Sequence, residues 1–130
     1  MNRRTSLKAL AAVAAGSAAV PSEAAANPIQ LHVDLDVDPA KEKELLTNFR
    51  NTFKPAISKQ PGFVEVKLMK FRKVMVGNAP SGWSYRLLIS FQTEEQRVKW
   101  VAADDHQRAW PTIEKCLKGS KFAAVLYDIA

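Results

Sequence analysis

Cysteine is nearly absent from this chain of 130 residues: Cys116 is the only one. A single thiol excludes an internal disulfide and a cysteine-based zinc site, so stability must come from packing or from a partner subunit. The few glycines form no phosphate-cradling loop and no dinucleotide fingerprint, and there is no nucleophile elbow, which leaves hydrolysis and nicotinamide chemistry unsupported. The apolar run from Leu10 to Val20 is too short to span a bilayer. No repeat or low-complexity linker divides the chain. Its length leaves room for one domain, and 47% hydrophobic residues suffice for a packed core.

Charge is what the chain has in excess, with a formal value of +6. Of its 19 basic and 13 acidic residues, Arg3, Arg4, Lys8 and Glu23 fall in the first 26, leaving 16 and 12, or +4. The dense basic cluster is Lys67, Lys70, Arg72 and Lys73, with Phe71 among them. A basic strand carrying an aromatic can grip phosphates and stack on a base. Charges on an outward strand face or a solvated hairpin are commoner, and no helix-turn-helix, zinc-finger or RNA-recognition pattern accompanies these. Nucleic acid is not expected as a partner.

Residues 1–26 read as an export signal: a charged start from Asn2 to Lys8, a mild apolar core, and Ala24-Ala25-Ala26 as a small-residue cleavage site. The paired arginines before Leu7 and Lys8 resemble the twin-arginine pattern, with Ser6 where that signal favours a bulky apolar residue. The expectation is a mature chain, residues 27–130, in the periplasm or outside the cell, with no membrane partner once the signal is removed.

Alternation then dominates. Ile29, Leu31, Val33, Leu35 and Val37 alternate with polar residues, a half-buried strand. Asp38-Pro39 caps a helix running to about Phe53, in which Leu45, Leu46, Phe49 and Phe53 recur; Pro55 is expected to kink or end it, with Ala56 and Ile57 able to continue the apolar stripe. A strand from Phe63 to about Val74, with Val64, Val66 and Leu68 on one face, folds back as a hairpin on a strand from Trp83 to Phe91. Thr93-Glu94-Glu95-Gln96 is a capping box, in which the Thr93 hydroxyl and the Gln96 side chain satisfy free N–H groups. Asp104 or Asp105 can cap a further helical segment, for which Gly119 suits the end, and a last strand covers Phe122 to Tyr127. This order predicts an α+β, ferredoxin-like βαββαβ unit: an antiparallel four-stranded sheet with both helices on one face. Phe63, Met69 and Phe71 make the strands apolar on two sides, so a second copy is the natural cover for the other face.

The element order, the Pro61-Gly62-Phe63 turn, the strand Leu87–Phe91 running into Thr93-Glu94-Glu95, Trp100, Asp104-Asp105-His106 and the closing Leu126-Tyr127-Asp128 resemble the antibiotic-biosynthesis-monooxygenase family of dimeric α/β-barrel proteins, over roughly residues 29–129. The resemblance implies a homodimer whose sheets form a barrel, with a pocket between each sheet and its helices. It also implies a choice among cofactor-free oxygenases of aromatic substrates, quinol oxygenases, haem-degrading enzymes and relatives without known turnover. The haem-degrading branch shares a tryptophan where Trp100 stands. It has an iron-ligating histidine where this chain has Trp110, and a first-strand asparagine where this chain has Val33 flanked by His32 and Asp34. Haem is therefore the runner-up to a cofactor-independent monooxygenase of a small phenol or quinol, and a ligand-binding or stress-related module without turnover is the other alternative. No cofactor and no metal are expected.

Among candidate site residues, His106 stands near a helix start, where the dipole favours the neutral imidazole that a general base needs; the plainer reading is a partly buried structural histidine. Trp100 is expected to point away from an apolar stripe of Val98, Val101 and Ala102, as a pocket wall or an anchor in the dimer interface. Trp110 and Tyr85 are further candidate walls. Tyr85 and Arg86 lie on opposite strand faces, and either can hydrogen-bond a phenolate or carboxylate; packing and a surface ion pair are the alternatives. His32 projects with Asp34 and Asp36 from the polar face of the first strand, towards either solvent or a pocket, and alternate positions of this kind are a weak metal signal. Cys116 reads as a core residue.

Overall fold

The first run of alternating residues forms β1 (Ile29–Val37) in the computed structural model of the protein, which describes residues 27–78 and 82–130. The expected export signal lies outside the described residues. Ile29, Val33, Leu35 and Val37 are buried, and the polar residues between them face the other side. β1 is flanked by β3 (Tyr85–Phe91) and β4 (Leu117–Asp128), and β2 (Phe63–Lys70) pairs with the far side of β3. The sheet order is β2-β3-β1-β4, and all three pairings are antiparallel.

The core joins one face of this sheet to the helices: Leu35, Leu87 and Phe91 from the strands meet Leu45, Phe53, Ile57 and Ile113. This is the ferredoxin-like α+β arrangement that the element order predicts, with one sheet face left open. On that face a salt bridge and hydrogen-bonded polar side chains sit among Met69, Leu88, Val125 and Tyr127.

The first helical region does not end at Pro55. Asp38 Oδ1 accepts from the Ala40 amide at 3.0 Å, and a 3-10 turn (Pro39–Lys41) leads into α1 (Glu42–Asn48). A π-helical turn (Phe49–Phe53) then passes the chain to α2 (Lys54–Ser58). There the Lys54 amide donates to the Phe49 carbonyl, five residues back. Proline lacks an N–H and its ring collides with the carbonyl four residues before it; the widened turn relieves the collision and puts Pro55 in a first turn, where no donor is needed.

Further departures are local. β2 stops at Lys70 rather than near Val74, and a register shift between Phe63 and Glu65 leaves Val64 exposed while Val66 is buried. Thr93 Oγ1 caps α3 (Glu94–Ala102) by accepting from the Gln96 amide at 3.1 Å, but the reciprocal half of the box does not form. The Gln96 side chain instead lies over Gly62, where a Cβ would fall 1.9 Å from Oε1. That oxygen is buried with no hydrogen-bond partner among the described residues. Neither Asp104 nor Asp105 caps α4 (Asp104–Glu114); its N-cap is Ala103, and Asp105 accepts from Gln60 Nε2 at 2.9 Å. Gly119 does not end that helix. It lies in β4 beside Ser120, both at φ 56°, where Leu35 pairs with Phe122 but Val37 with Leu117.

Candidate functional site

α3 packs the opposite way from its expected stripe. Trp100 is only 2% exposed, whereas Val98 and Val101 are 50% and 38% exposed. Turned inward, the indole gains aromatic contacts in the core, each worth about 0.5–1.5 kcal/mol beyond the area it buries, a gain that valine cannot make. Its ring stands edge-on to Phe53, centroids 5.8 Å apart.

The chain then breaks at Ala103, which is extended at φ −75° and ψ 151°, and α4 starts on a new axis. The break brings His106 against Trp100, with centroids 5.0 Å apart and planes at 80°. One turn further on, Trp110 lies nearly parallel to His106 at 6.5 Å and edge-on to Phe122 at 5.0 Å. These rings wall a cavity of about 290 Å³ between the helices and the sheet. Its floor is the helix-facing side of β1, β3 and β4, including Leu31, Val33, Leu87, Ile89 and Ala124.

Two lining side chains are polar. His106 is half-buried, and burial pushes its pKa below the usual histidine value, favouring the neutral ring near pH 7. Arg97 forks onto Glu94, Nε to Oε1 at 2.6 Å and Nη2 to Oε2 at 2.7 Å. The hydrogen bonds to that carboxylate raise the guanidinium pKa further. Arg97 is not expected from the sequence, although its spacing from Glu94 and from Trp100, three residues either way, puts all three on one helix face. The cavity therefore combines an aliphatic floor, aromatic walls, one neutral imidazole and one paired cation.

Three of the expected site residues converge here: His106, Trp100 and Trp110. The other three lie elsewhere. Tyr85 is buried towards α1, where its hydroxyl donates to Glu42 Oε2, an oxygen that also takes Lys70 Nζ at 2.7 Å. Burial first, then the Glu42 carboxylate, pushes the Tyr85 pKa up to about 12. Arg86 is on the open sheet face, bound to Asp34 through Nε to Oδ1 at 2.7 Å and Nη2 to Oδ2 at 3.2 Å. His32 shares that face, with Nε2 2.8 Å from Gln30 Oε1 and its ring 4.8 Å from that of Tyr127. Its pKa is lowered by burial and by Arg86, against the pull of Asp34. Asp34 is thus taken by Arg86, and among the described residues no three His, Cys, Asp or Glu side chains are grouped to hold a metal ion. Cys116 is buried, its Sγ 3.6 Å from the Thr112 carbonyl, and burial raises its pKa.

No protein-family model matches the chain, and no curated protein matches it. Solved structures do match. A proposed antibiotic biosynthesis monooxygenase from Bordetella bronchiseptica aligns at a TM-score of 0.64 and 15% identity, covering 80% of this chain and 98% of that one. A variant of SnoaB, a cofactor-independent oxygenase from Streptomyces nogalater, aligns at 0.59 and 16% identity, covering 78% and 91%. A dimeric ferredoxin-like protein of unknown function from Jannaschia sp. CCS1 aligns at 0.63 and 13% identity, covering 79% and 98%. At such identities the common property is the fold. The chain has the ferredoxin-like fold found in proteins named as antibiotic biosynthesis monooxygenases and in dimeric ferredoxin-like proteins.

Proposed function

We propose that the protein is a cofactor-independent monooxygenase of a small phenol or quinol, which it binds in the cavity beneath α3 and α4. The observation that carries this reading is the half-buried His106 held between Trp100 and Trp110 in an otherwise apolar cavity. His106 takes the phenolic proton, and the guanidinium of Arg97 stabilises the phenolate that forms. The electron-rich ring then reduces dioxygen, and a carbon–oxygen bond forms at a ring carbon as a hydroperoxide. Loss of water removes one oxygen atom with two hydrogens and leaves the other as the quinone carbonyl. Dioxygen is the only co-reactant this chemistry requires. The protein's part is to deprotonate, orient and desolvate the substrate.

The functional unit in this reading is a homodimer closed through the open sheet face, an assembly supported by the dimeric ferredoxin-like neighbours and by the exposed Val125 and Tyr127. Oxygen consumption with a panel of quinols, run beside light scattering, tests both parts. Turnover that His106→Ala abolishes, by a particle of twice the chain mass, is expected. Equal oxygen uptake by wild type and His106→Ala would overturn the catalytic assignment, and a monomer at micromolar concentration would overturn the assembly. Quinol binding without oxygen uptake would make the protein a binding module.

A further inference from the structure

The segment joining β2 to β3 carries features that the cavity does not use. From Val66 to Thr93 the sequence contains no acidic residue but has Lys67, Lys70, Arg72, Lys73 and Arg86. Beyond the end of β2 the chain leaves the sheet and presents Val74, Met75 and Val76 in succession, 39%, 78% and 93% exposed. Lys67 and Lys70 pair with Glu65 and Glu42, but among the described residues Arg72 and Lys73 have no ionic partner. Closer to the sheet, the half-exposed Phe71 and the partly buried Trp83 line one shallow cleft of about 190 Å³.

Outward from the sheet, the order is aromatic, cationic, apolar. A bilayer has a place for each: its headgroup level takes both tryptophan and cations, and hydrocarbon lies beneath. We infer that this hairpin is a membrane-docking finger, which inserts Val74, Met75 and Val76 into an anionic phospholipid bilayer while Arg72 and Lys73 hold the headgroups. The inference departs from the expectation of no membrane partner. A second copy seated on the same residues by two-fold symmetry would bring like charges together, and a nucleic acid would leave Val74, Met75 and Val76 against phosphates. An anionic bilayer satisfies both parts.

The test is co-sedimentation of the full chain with vesicles of phosphatidylglycerol and phosphatidylcholine, or of phosphatidylcholine alone, beside Met75→Asp/Val76→Asp. Residues 1–26 are common to both proteins, so the difference reads the finger. Binding to anionic vesicles that weakens with salt and falls about tenfold or more in the double variant is expected. A Val76→Cys protein labelled with an environment-sensitive dye, selectively because Cys116 is buried, should shift to the blue on those vesicles. Equal partitioning of wild type and double variant, or no blue shift on vesicles that sediment the protein, would overturn the inference. So would a loss of dimer mass in the double variant without any vesicle binding by wild type, which would show that the tip is covered by a second copy.

Discussion

Trp100 meets His106 edge to face across the break at Ala103, so one indole both fills the core and supports the proposed base. Replacing it by alanine removes a fully packed aromatic and should cost about 3–5 kcal/mol of stability, with Trp100→Phe costing less. Urea denaturation measures this. A loss below about 1 kcal/mol would mean that the indole is not part of the core.

Burial holds the His106 pKa below 6.5, which sets the sign of the pH dependence. The unfolded chain takes up its proton first as pH falls, so the stability contributed by the neutral ring is complete above 6.5 and is lost as pH falls through the lower folded value. Turnover should fall over the same acidic window as the base is protonated. Denaturation midpoints between pH 4 and 8 for wild type and His106→Gln check it: the variant should lose less stability on acidification. Identical pH profiles would contradict the assignment.

Gln96 Oε1 is buried without a partner among the described residues, and a buried acceptor left unpaired carries its full desolvation cost. Gln96→Met keeps the length of the side chain and removes that cost, and should stabilise the fold by about 1 kcal/mol. Gly62→Ala should destabilise it, because its φ of 81° and the 1.9 Å approach of Gln96 leave no space for a methyl group. The two effects are read from one set of denaturation curves. A destabilised Gln96→Met would show that its amide is satisfied in solution.

Residues 1–26 are proposed as a twin-arginine export signal. Replacing Arg3 and Arg4 together by lysine should trap the precursor inside the cell, and N-terminal sequencing of the exported protein should begin near Asn27. Export unaffected by the double change would refute the signal.

The strands are legible in the sequence because a period of two survives wherever one face is buried, as from Ile29 to Val37 and from Tyr85 to Phe91. What alternation does not give is cross-strand register. The pairing of Asp34 with Arg86, which commits both charges to the open face, emerges only once β1 and β3 are aligned. At Trp100 the sequence misleads, because a count of apolar residues favours the small aliphatics of α3, and the core ring that the indole packs against, Phe53, is brought to it only by the tertiary fold. The break at Ala103 has no proline or glycine to announce it. In an unbroken helix, residues six apart point about 240° from each other, so the meeting of Trp100 with His106 depends on that break. Arg97 looks like an ordinary solvated charge, since nothing in its own neighbourhood reveals that Trp100 turns inward.

Leu45, Phe49, Phe53 and Ile57 are all buried although they recur every four residues, a spacing that drifts about 40° per step around a regular α-helix. The π-helical turn at Phe49–Phe53 absorbs the drift by taking up one extra residue. Seen as an evolutionary change in length, it is an insertion that the chain cannot easily give back. Deleting one residue between 49 and 53 would return the turn to the α-helical form with Ile57 seven residues from Phe49, about 20° from its direction and still on the core side, but it would drive the Pro55 ring into a carbonyl of the preceding turn. Pro55, and not the burial of Ile57, is what holds the extra residue in place.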